Sequence, residues 1–175
     1  MAVYDVFNGD ADGICSLIQL RQADNIASHL VTGVKRDIQL LDKINPQSGD
    51  KVNVLDVSMD KNKSALLEIL SKDVSVFYCD HHVAGDIPEV ENLDALINTA
   101  SDVCTRLLIN SRLKGVVAKW AVVGAFGDNL DKSARVLAKK IGVDEADTAK
   151  LKNLGIYINY NGYGSSLDDL HFEPA

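Results

Sequence analysis

The feature that most restricts the fold is an alternation of short apolar runs with helical segments over the first hundred residues or so. Runs of strand length begin at Val3, His29, Val52, Val74 and Leu93. Strands that alternate with helices pair in parallel, and the helices cover both faces of the sheet. The sequence therefore predicts an α/β fold with a mostly parallel sheet and a helical C-terminal part from Val116 onward.

The helical pattern also predicts where the chain is divided. Helical stretches are predicted over residues 35–44, over residues 64–70 with Asp60 as the N-terminal cap, and after Ser101. Three more are predicted over residues 116–126, 132–141 and 145–154. Each of these three is followed by a glycine that is expected to end the helix, namely Gly127, Gly142 and Gly155. Residues 1–155 are expected to form one domain. Residues 156–175 are expected to be an irregular tail or the start of an interdomain linker.

Composition limits the partners that this chain can bind. The formal net charge of −7 argues against tight nonspecific binding to long nucleic acid, so a phosphate substrate would need local cations or bound metal. The first residues lack the basic and apolar regions of a leader peptide, and no apolar run approaches the ~18 residues that a membrane span needs. The three cysteines lack metal-ligand spacing and are expected to be reduced. We therefore expect a cytoplasmic protein that does not bind membranes.

Acidic and histidine side chains follow the predicted strands at the carboxyl edge of the sheet, where ligands bind in open α/β folds. They are Asp10 and Asp12 after the first strand, Asp56 at the end of the third, Asp80, His81 and His82 after the fourth, and Asp128 at the end of a later helix. Carboxylates this close together repel one another unless they bind cations or have raised pKa values. Oxygen-rich ligands with an imidazole favour manganese or magnesium over zinc.

The segments that carry these side chains resemble, in order, the four motifs of the DHH phosphoesterases. They are Asn8-Gly9-Asp10-Ala11-Asp12-Gly13, Asp56 in Leu-Asp-Val-Ser, Asp80-His81-His82, and Gly124-Ala125-Phe126-Gly127-Asp128-Asn129. This family includes RecJ-like exonucleases, oligoribonucleases and cyclic-dinucleotide phosphodiesterases. The resemblance implies manganese-dependent hydrolysis of phosphodiester bonds in short oligonucleotides or cyclic dinucleotides.

The resemblance also implies a two-metal mechanism. Asp10 and Asp56 would hold one manganese ion, and Asp12, Asp56, His81 and Asp128 would hold the second, so that Asp56 bridges the two. Magnesium is an alternative to manganese at both positions.

The remaining motif residues receive roles around the metal ions. Asp56, His81 and His82 would be the catalytic residues, His82 would face the substrate phosphate, and Asp80 would orient an imidazole. Arg106, on the helix after Ser101, is a candidate clamp for the same phosphate, and a solvated helix face is an equally good interpretation.

Two departures from the family pattern affect this interpretation. The first motif of the family usually opens with His or Asp, whereas Asn8 offers only a neutral amide oxygen as a metal ligand. We therefore expect a weak first metal position. Family members also carry a C-terminal substrate-binding domain, which we expect this chain to lack.

Other classes of function fit parts of the pattern. Asp10-Ala11-Asp12-Gly13 also resembles the nucleophile motif of haloacid-dehalogenase-type phosphatases, in which Asp10 would form an aspartyl-phosphate. A calcium loop is disfavoured because its twelfth position would be Gln19, which cannot supply a bidentate carboxylate. A degenerate module that only binds nucleotide or metal is the non-enzymatic alternative.

Overall fold

Five parallel strands form the centre of the computed structural model, which describes residues 1–174. The strands are β1 (Val3–Phe7), β2 (His29–Val31), β3 (Lys51–Leu55), β4 (Ser75–Asp80) and β5 (Leu93–Ile97). Their order in the sheet is β2-β1-β3-β4-β5, and every neighbouring pair is parallel. The helices are α1 (Ala11–Ala23), α2 (Lys63–Leu70), α3 (Thr105–Arg112), α4 (Ala118–Gly127), α5 (Asp131–Lys140) and α6 (Glu145–Asn161). The predicted α/β fold is confirmed.

The two faces of the sheet are covered by different helices, because alternate side chains of a strand point to opposite faces. On one face, Phe7, Leu55 and Cys79 pack with apolar residues of α1, α3, α4 and α6. On the other face, Val54 and Tyr78 pack with α2 and with the segment before β3. This arrangement leaves the carboxyl ends of β1, β3 and β4 side by side at one edge.

The predicted helix over residues 35–44 does not form, apart from a short 3₁₀ turn at Leu41–Lys43. Distant groups bind the backbone of this segment instead. The Asn62 side chain donates to the Ile38 carbonyl (2.6 Å) and accepts from the Leu41 amide (3.2 Å). The Lys35 amide donates to the Gly162 carbonyl (2.8 Å). These tertiary hydrogen bonds replace the local ones that a helix would make.

The predicted cap at Asp60 is wrong. Residues Asp60–Asn62 form a 3₁₀ turn, and α2 begins only at Lys63, without a capping bond from a side chain. The helix after Ser101 begins at Thr105, and its amides bind the distant Asp12 carboxylate. A long-range carboxylate therefore caps α3.

The predicted end of a helix at Gly155 is also wrong, because α6 continues to Asn161. Gly155 is the point where α6 touches α4. A Cβ atom at this position would lie 2.0 Å from the Val123 carbonyl oxygen and 2.9 Å from the Gly127 amide nitrogen. The glycine is needed for the close approach of two helices, and residue 155 is not the boundary of an element.

Gly155→Ala is therefore expected to destabilise the protein by roughly 1–3 kcal/mol, the typical cost of overpacking a core. A glycine that only interrupted a helix would give the opposite sign, since alanine favours helix by ~0.5–1 kcal/mol. Denaturant unfolding measures the difference. Asn153→Ala, at an exposed position of the same helix, is the control and should change stability little.

Two further features of the described residues bear on the predictions that the cysteines are reduced and that no segment spans a membrane. Cys15, Cys79 and Cys104 are free thiols, and each is buried. Burial raises the pKa of all three, which keeps them protonated and unreactive. Among residues 1–174, no helix is both long enough and apolar enough to cross a membrane.

Candidate metal centre

The carboxyl edge of β1, β3 and β4 carries a cleft of about 380 Å³. The predicted site residues that line it are Asn8, Asp10, Asp56, His81, His82 and Asp128. Asp12 lies buried in the first turn of α1, and its carboxylate is 3.6 Å from Nε2 of His81. The structure thus brings all four motifs together.

Asp10 binds both a helix end and a cation. Its Oδ1 accepts hydrogen bonds from the amides of Asp12 (2.9 Å) and Gly13 (3.2 Å), which caps α1. Its Oδ2 lies 2.6 Å from Nζ of Lys35. Burial alone would raise the pKa of Asp10, but the charge and the hydrogen bond of Lys35 lower it. Asp10 is therefore an ionised carboxylate that already has a cationic partner.

Asp12 connects α1 to α3. Its carboxylate oxygens accept from the amides of Thr105 (2.9 Å) and Arg106 (2.8 Å), and Nη1 of Arg106 lies 3.0 Å from Oδ1. Burial raises the pKa of Asp12, although the Arg106 charge acts in the opposite direction. The carboxylate is held rigidly by these contacts, while its Oδ2 also faces His81.

Asp56 follows β3 in a left-handed backbone conformation with φ of 57°. Such a conformation in a residue other than glycine costs ~1–3 kcal/mol and is concentrated at functional sites. The Thr105 hydroxyl donates to Oδ1 of Asp56 (3.2 Å). Burial raises the pKa of Asp56 well above its usual value, and the negative charges of Asp12 and Asp10 raise it further.

His81 stands between the carboxylates. Its Nε2 lies 3.5 Å from Oδ1 of Asp56 and 3.6 Å from Oδ2 of Asp12. Neighbouring ligands of an octahedral ion with bonds of ~2.1 Å lie ~3 Å apart, so these separations suit a divalent cation after small adjustments. Asp12, His81 and Asp128 offer ligand atoms that all lie within 4.8 Å of one another, and so do Asp56, His81 and His82.

Asp80 and His82 form a pair beside these ligands. Asp80 has no exposed surface, and its Oδ1 lies 2.7 Å from Nδ1 of the half-exposed His82. The hydrogen bond to Asp80 raises the pKa of His82, although burial opposes the shift. The group of Asp12, His81 and Asp128 combines two carboxylates with one imidazole, which suits a hard divalent cation, and it is therefore the better candidate centre.

Asp80→Asn is expected to lower the pKa of His82, because the substitution removes the negative charge that stabilises the imidazolium. NMR titration of the histidine ring protons measures this directly. Asp94→Asn, which removes an exposed carboxylate paired with Arg112, should leave the pKa of His82 unchanged. An unchanged His82 titration in both variants would contradict the assigned cause.

Arg106 does not line the cleft, contrary to the expected phosphate clamp. Its side chain has no exposed surface, and its guanidinium lies 3.0 Å from Asp12 and 3.6 Å from Asp128. A Cβ atom at position 124 would lie 2.1 Å from Cδ of Arg106, so Gly124 makes room for the side chain. Arg106 pairs with the two carboxylates from a fully buried position, so it is not accessible to a substrate.

Among the site residues that the sequence-based prediction did not include, two bind the carboxylates directly. Thr105 binds Asp56 through its hydroxyl and Asp12 through its amide. Lys35 binds Asp10. Lys35 could have been identified from the sequence, because it follows β2 at the carboxyl edge of the sheet, where ligands bind in open α/β folds. Thr105 has no comparable signal, since α3 reaches the site through tertiary packing.

Comparisons with known proteins identify the fold. No family model and no curated protein matches this sequence. Among solved structures, the chain is similar to a protein described as a member of the s1p family of ribosomal proteins with a DHH domain. The TM-score is 0.65 at 15% sequence identity, and the match covers 90% of this chain and 47% of that chain. It is also similar to exonuclease RecJ in a structure bound to manganese, with a TM-score of 0.57, 17% identity, and coverage of 92% and 53%.

The chain thus spans about half the length of these two proteins. Both likenesses extend over nearly all of this chain. The sequence resemblance and the structural likeness agree, and the chain has the fold of the DHH domain.

Proposed function

We propose that this protein is a metal-dependent phosphodiesterase that hydrolyses short oligonucleotides or cyclic dinucleotides. The observation that carries the proposal is the convergence of Asp12, His81 and Asp128 within 4.8 Å, with Asp56 beside His81, in a cleft at the carboxyl edge of the sheet. The raised pKa values of Asp12 and Asp56 support it, because crowded carboxylates release protons when a cation binds.

Asp12, Asp56, His81 and Asp128 would hold a manganese or magnesium ion. When bound, this ion supplies Lewis acidity toward a phosphoryl oxygen and toward water. Thr105 keeps Asp56 in place through its hydroxyl, and Arg106 keeps Asp12 in place through its charge. The family resemblance implies a second ion beside Asp10.

Other residues supply contacts for the substrate phosphate. His82 is half-exposed in the cleft, and its raised pKa favours the protonated form, which donates a charged hydrogen bond. Lys61 also lines the cleft and is largely exposed. These cations provide the local positive charge that a chain of net charge −7 otherwise lacks.

The size of the cleft favours small substrates. Its volume of about 380 Å³ lies within the ~300–1,000 Å³ of small-molecule sites. The acidic composition disfavours a long nucleic acid, whose affinity depends on many Lys and Arg contacts to phosphate. We therefore favour dinucleotides and short oligonucleotides as substrates.

The test is hydrolysis of di- to pentanucleotides, cyclic dinucleotides and a generic phosphodiester, with and without Mn²⁺. His81→Ala is expected to weaken metal binding by at least ~10–100-fold, the usual cost of losing even a supporting residue, and to reduce hydrolysis accordingly. His29→Ala replaces the exposed first residue of β2 and should leave both unchanged.

Hydrolysis that survives His81→Ala, or that needs no divalent ion, would contradict the proposal. The haloacid-dehalogenase alternative has little support, because both carboxylate oxygens of Asp10 are engaged, one by the amides of α1 and one by Lys35. A phosphorylated Asp10 detected after reaction with a phosphomonoester would restore that alternative.

A further inference from the structure

Lys35 contacts Asp10, one of the two carboxylates to which the family resemblance assigns the first metal ion. The resemblance assigns that ion to Asp10 and Asp56, with Asn8 as a neutral neighbour. In the structure, Nζ of Lys35 is 2.6 Å from Oδ2 of Asp10, which is the oxygen left free by the cap on α1. Asp10 therefore has no carboxylate oxygen without a partner.

Asn8 is committed to other contacts as well. Its Oδ1 accepts from the Asp10 amide (3.1 Å), and its Nδ2 donates to the Lys35 carbonyl (3.1 Å). These two bonds set the orientation of the side-chain amide and use one of the two lone pairs of its oxygen. An aspartate in this place would lose the second bond, because a carboxylate cannot donate. Asn8 thus holds the backbone of Lys35, and its neutral amide adds no negative charge that would favour a second divalent ion.

Lys35 is held firmly in this place. Its Nζ also contacts Oδ1 of Asn159 (3.0 Å), and it lies 5.5 Å from the centroid of the Tyr163 ring. The Lys35 amide donates to the Gly162 carbonyl, so backbone and side chain are both anchored to the end of α6. Only 28% of the side chain is exposed.

Within residues 1–174, no lysine or arginine pairs with the Asp12 and Asp56 oxygens that face His81. Asp12, His81 and Asp128 keep ligand atoms within 4.8 Å of one another, and Asp56 lies 3.5 Å from His81. Arg106 is fully buried and pairs with Oδ1 of Asp12 and Oδ2 of Asp128, whereas Oδ2 of Asp12 faces His81. The two halves of the site therefore differ: one has a lysine ammonium, and the other has room for a divalent ion.

We propose that the Lys35 ammonium replaces the first metal ion, so that this chain binds a single divalent cation at Asp12, Asp56, His81 and Asp128. This inference rests on the proposed function for the identity of the ion and the substrate. A neutral residue at position 8 is consistent with this replacement. The single positive charge of an ammonium is balanced by Asp10 alone, whereas a divalent ion would need a second carboxylate to balance its charge. In such a site, Lys35 would supply the second positive charge that faces the phosphate.

The test is the stoichiometry of Mn²⁺ bound to the full chain, measured by isothermal titration and by electron paramagnetic resonance. The wild type should bind one ion per chain, with the spectrum of an isolated Mn²⁺. The double variant Asn8→Asp, Lys35→Met should bind two, with the spectrum of a spin-coupled pair. Lys61→Met removes a second lysine of the cleft and should keep a stoichiometry of one.

Two ions of comparable affinity in the wild type would overturn the inference, and so would the absence of any bound Mn²⁺. The wild-type measurement decides the matter even if the double variant fails to fold. Failure of the proposed function is a separate result. One bound ion without hydrolysis of any phosphodiester would reject the function and keep the inference, whereas hydrolysis with two bound ions would do the reverse.

Discussion

Replacing Asp56 with asparagine is expected to abolish metal-dependent hydrolysis while it makes the metal-free protein more stable. The metal contribution to the transition state is several kcal/mol, and each 1.36 kcal/mol is a factor of ten, so a loss of ~10³-fold or more is expected. Asparagine keeps the oxygen that accepts from Thr105 and tolerates the left-handed backbone at this position. The substitution therefore removes the charge without disturbing the local fold.

The gain in stability follows from the raised pKa of Asp56. The native state holds a proton on this buried carboxyl more tightly than the unfolded chain does, because of burial and the charges of Asp12 and Asp10. The wild type consequently loses stability as the pH rises from the ordinary aspartate pKa of ~3.9 through the raised native pKa. Asparagine does not titrate, so the stability advantage of the variant grows with pH over that window.

Thermal unfolding of the metal-free proteins at several pH values measures this effect. The pKa of Asp56 is raised well above its ordinary value in the native state, so the variant is expected to be measurably more stable than the wild type at neutral pH. Asp60→Asn, an exposed carboxylate paired with Lys61, is the control and should change neither activity nor stability appreciably. A variant that is less stable than the wild type at neutral pH would contradict the argument from charge repulsion.

Replacing Arg106 with methionine is expected to destabilise the protein by roughly 3–5 kcal/mol, the usual cost of removing one partner of a buried ion pair. The guanidinium is fully buried between Asp12 and Asp128. Within residues 1–174, its nitrogens have contacts of ion-pair distance but no well-aligned hydrogen bond. Its main contribution is therefore its charge, which compensates the buried carboxylate of Asp12.

Arg112→Met is the matched control, because Arg112 on the same helix pairs with Asp94 and is 46% exposed. Exposed pairs contribute ~0–1 kcal/mol, so this variant should stay close to the wild type in denaturant unfolding. Arg106→Lys separates charge from shape, since it keeps the charge with a shorter and less branched head group. Equally small changes in stability on replacing Arg106 and Arg112 would show that the buried ion pair does not stabilise the fold.

The fold class, and the placement of acidic and histidine side chains at one edge of the sheet, can be predicted from the sequence alone. Period and spacing in the first hundred residues predict the parallel sheet, and the rule of strand ends brings Asp10, Asp56 and His81 to one edge. These inferences succeed because they depend on residues close together in the chain. A strand and the side chain that follows it stay together in any fold of this class.

The partner that each polar group of the site binds depends on how the helices pack on the sheet. Lys35 reaches Asp10 across 25 positions of the sequence, and the Asp12 carboxylate caps a helix 93 positions away. Arg106 was predicted to contact the substrate, but in the structure it is a buried counter-ion of Asp12, since Gly124 leaves space for its side chain. Hydrogen bonds and ion pairs act over a few ångströms, and residues that distant in the chain come within that range only through packing of the helices on the sheet. The edge of the site can therefore be predicted from local pattern, whereas its charge balance is set by the fold.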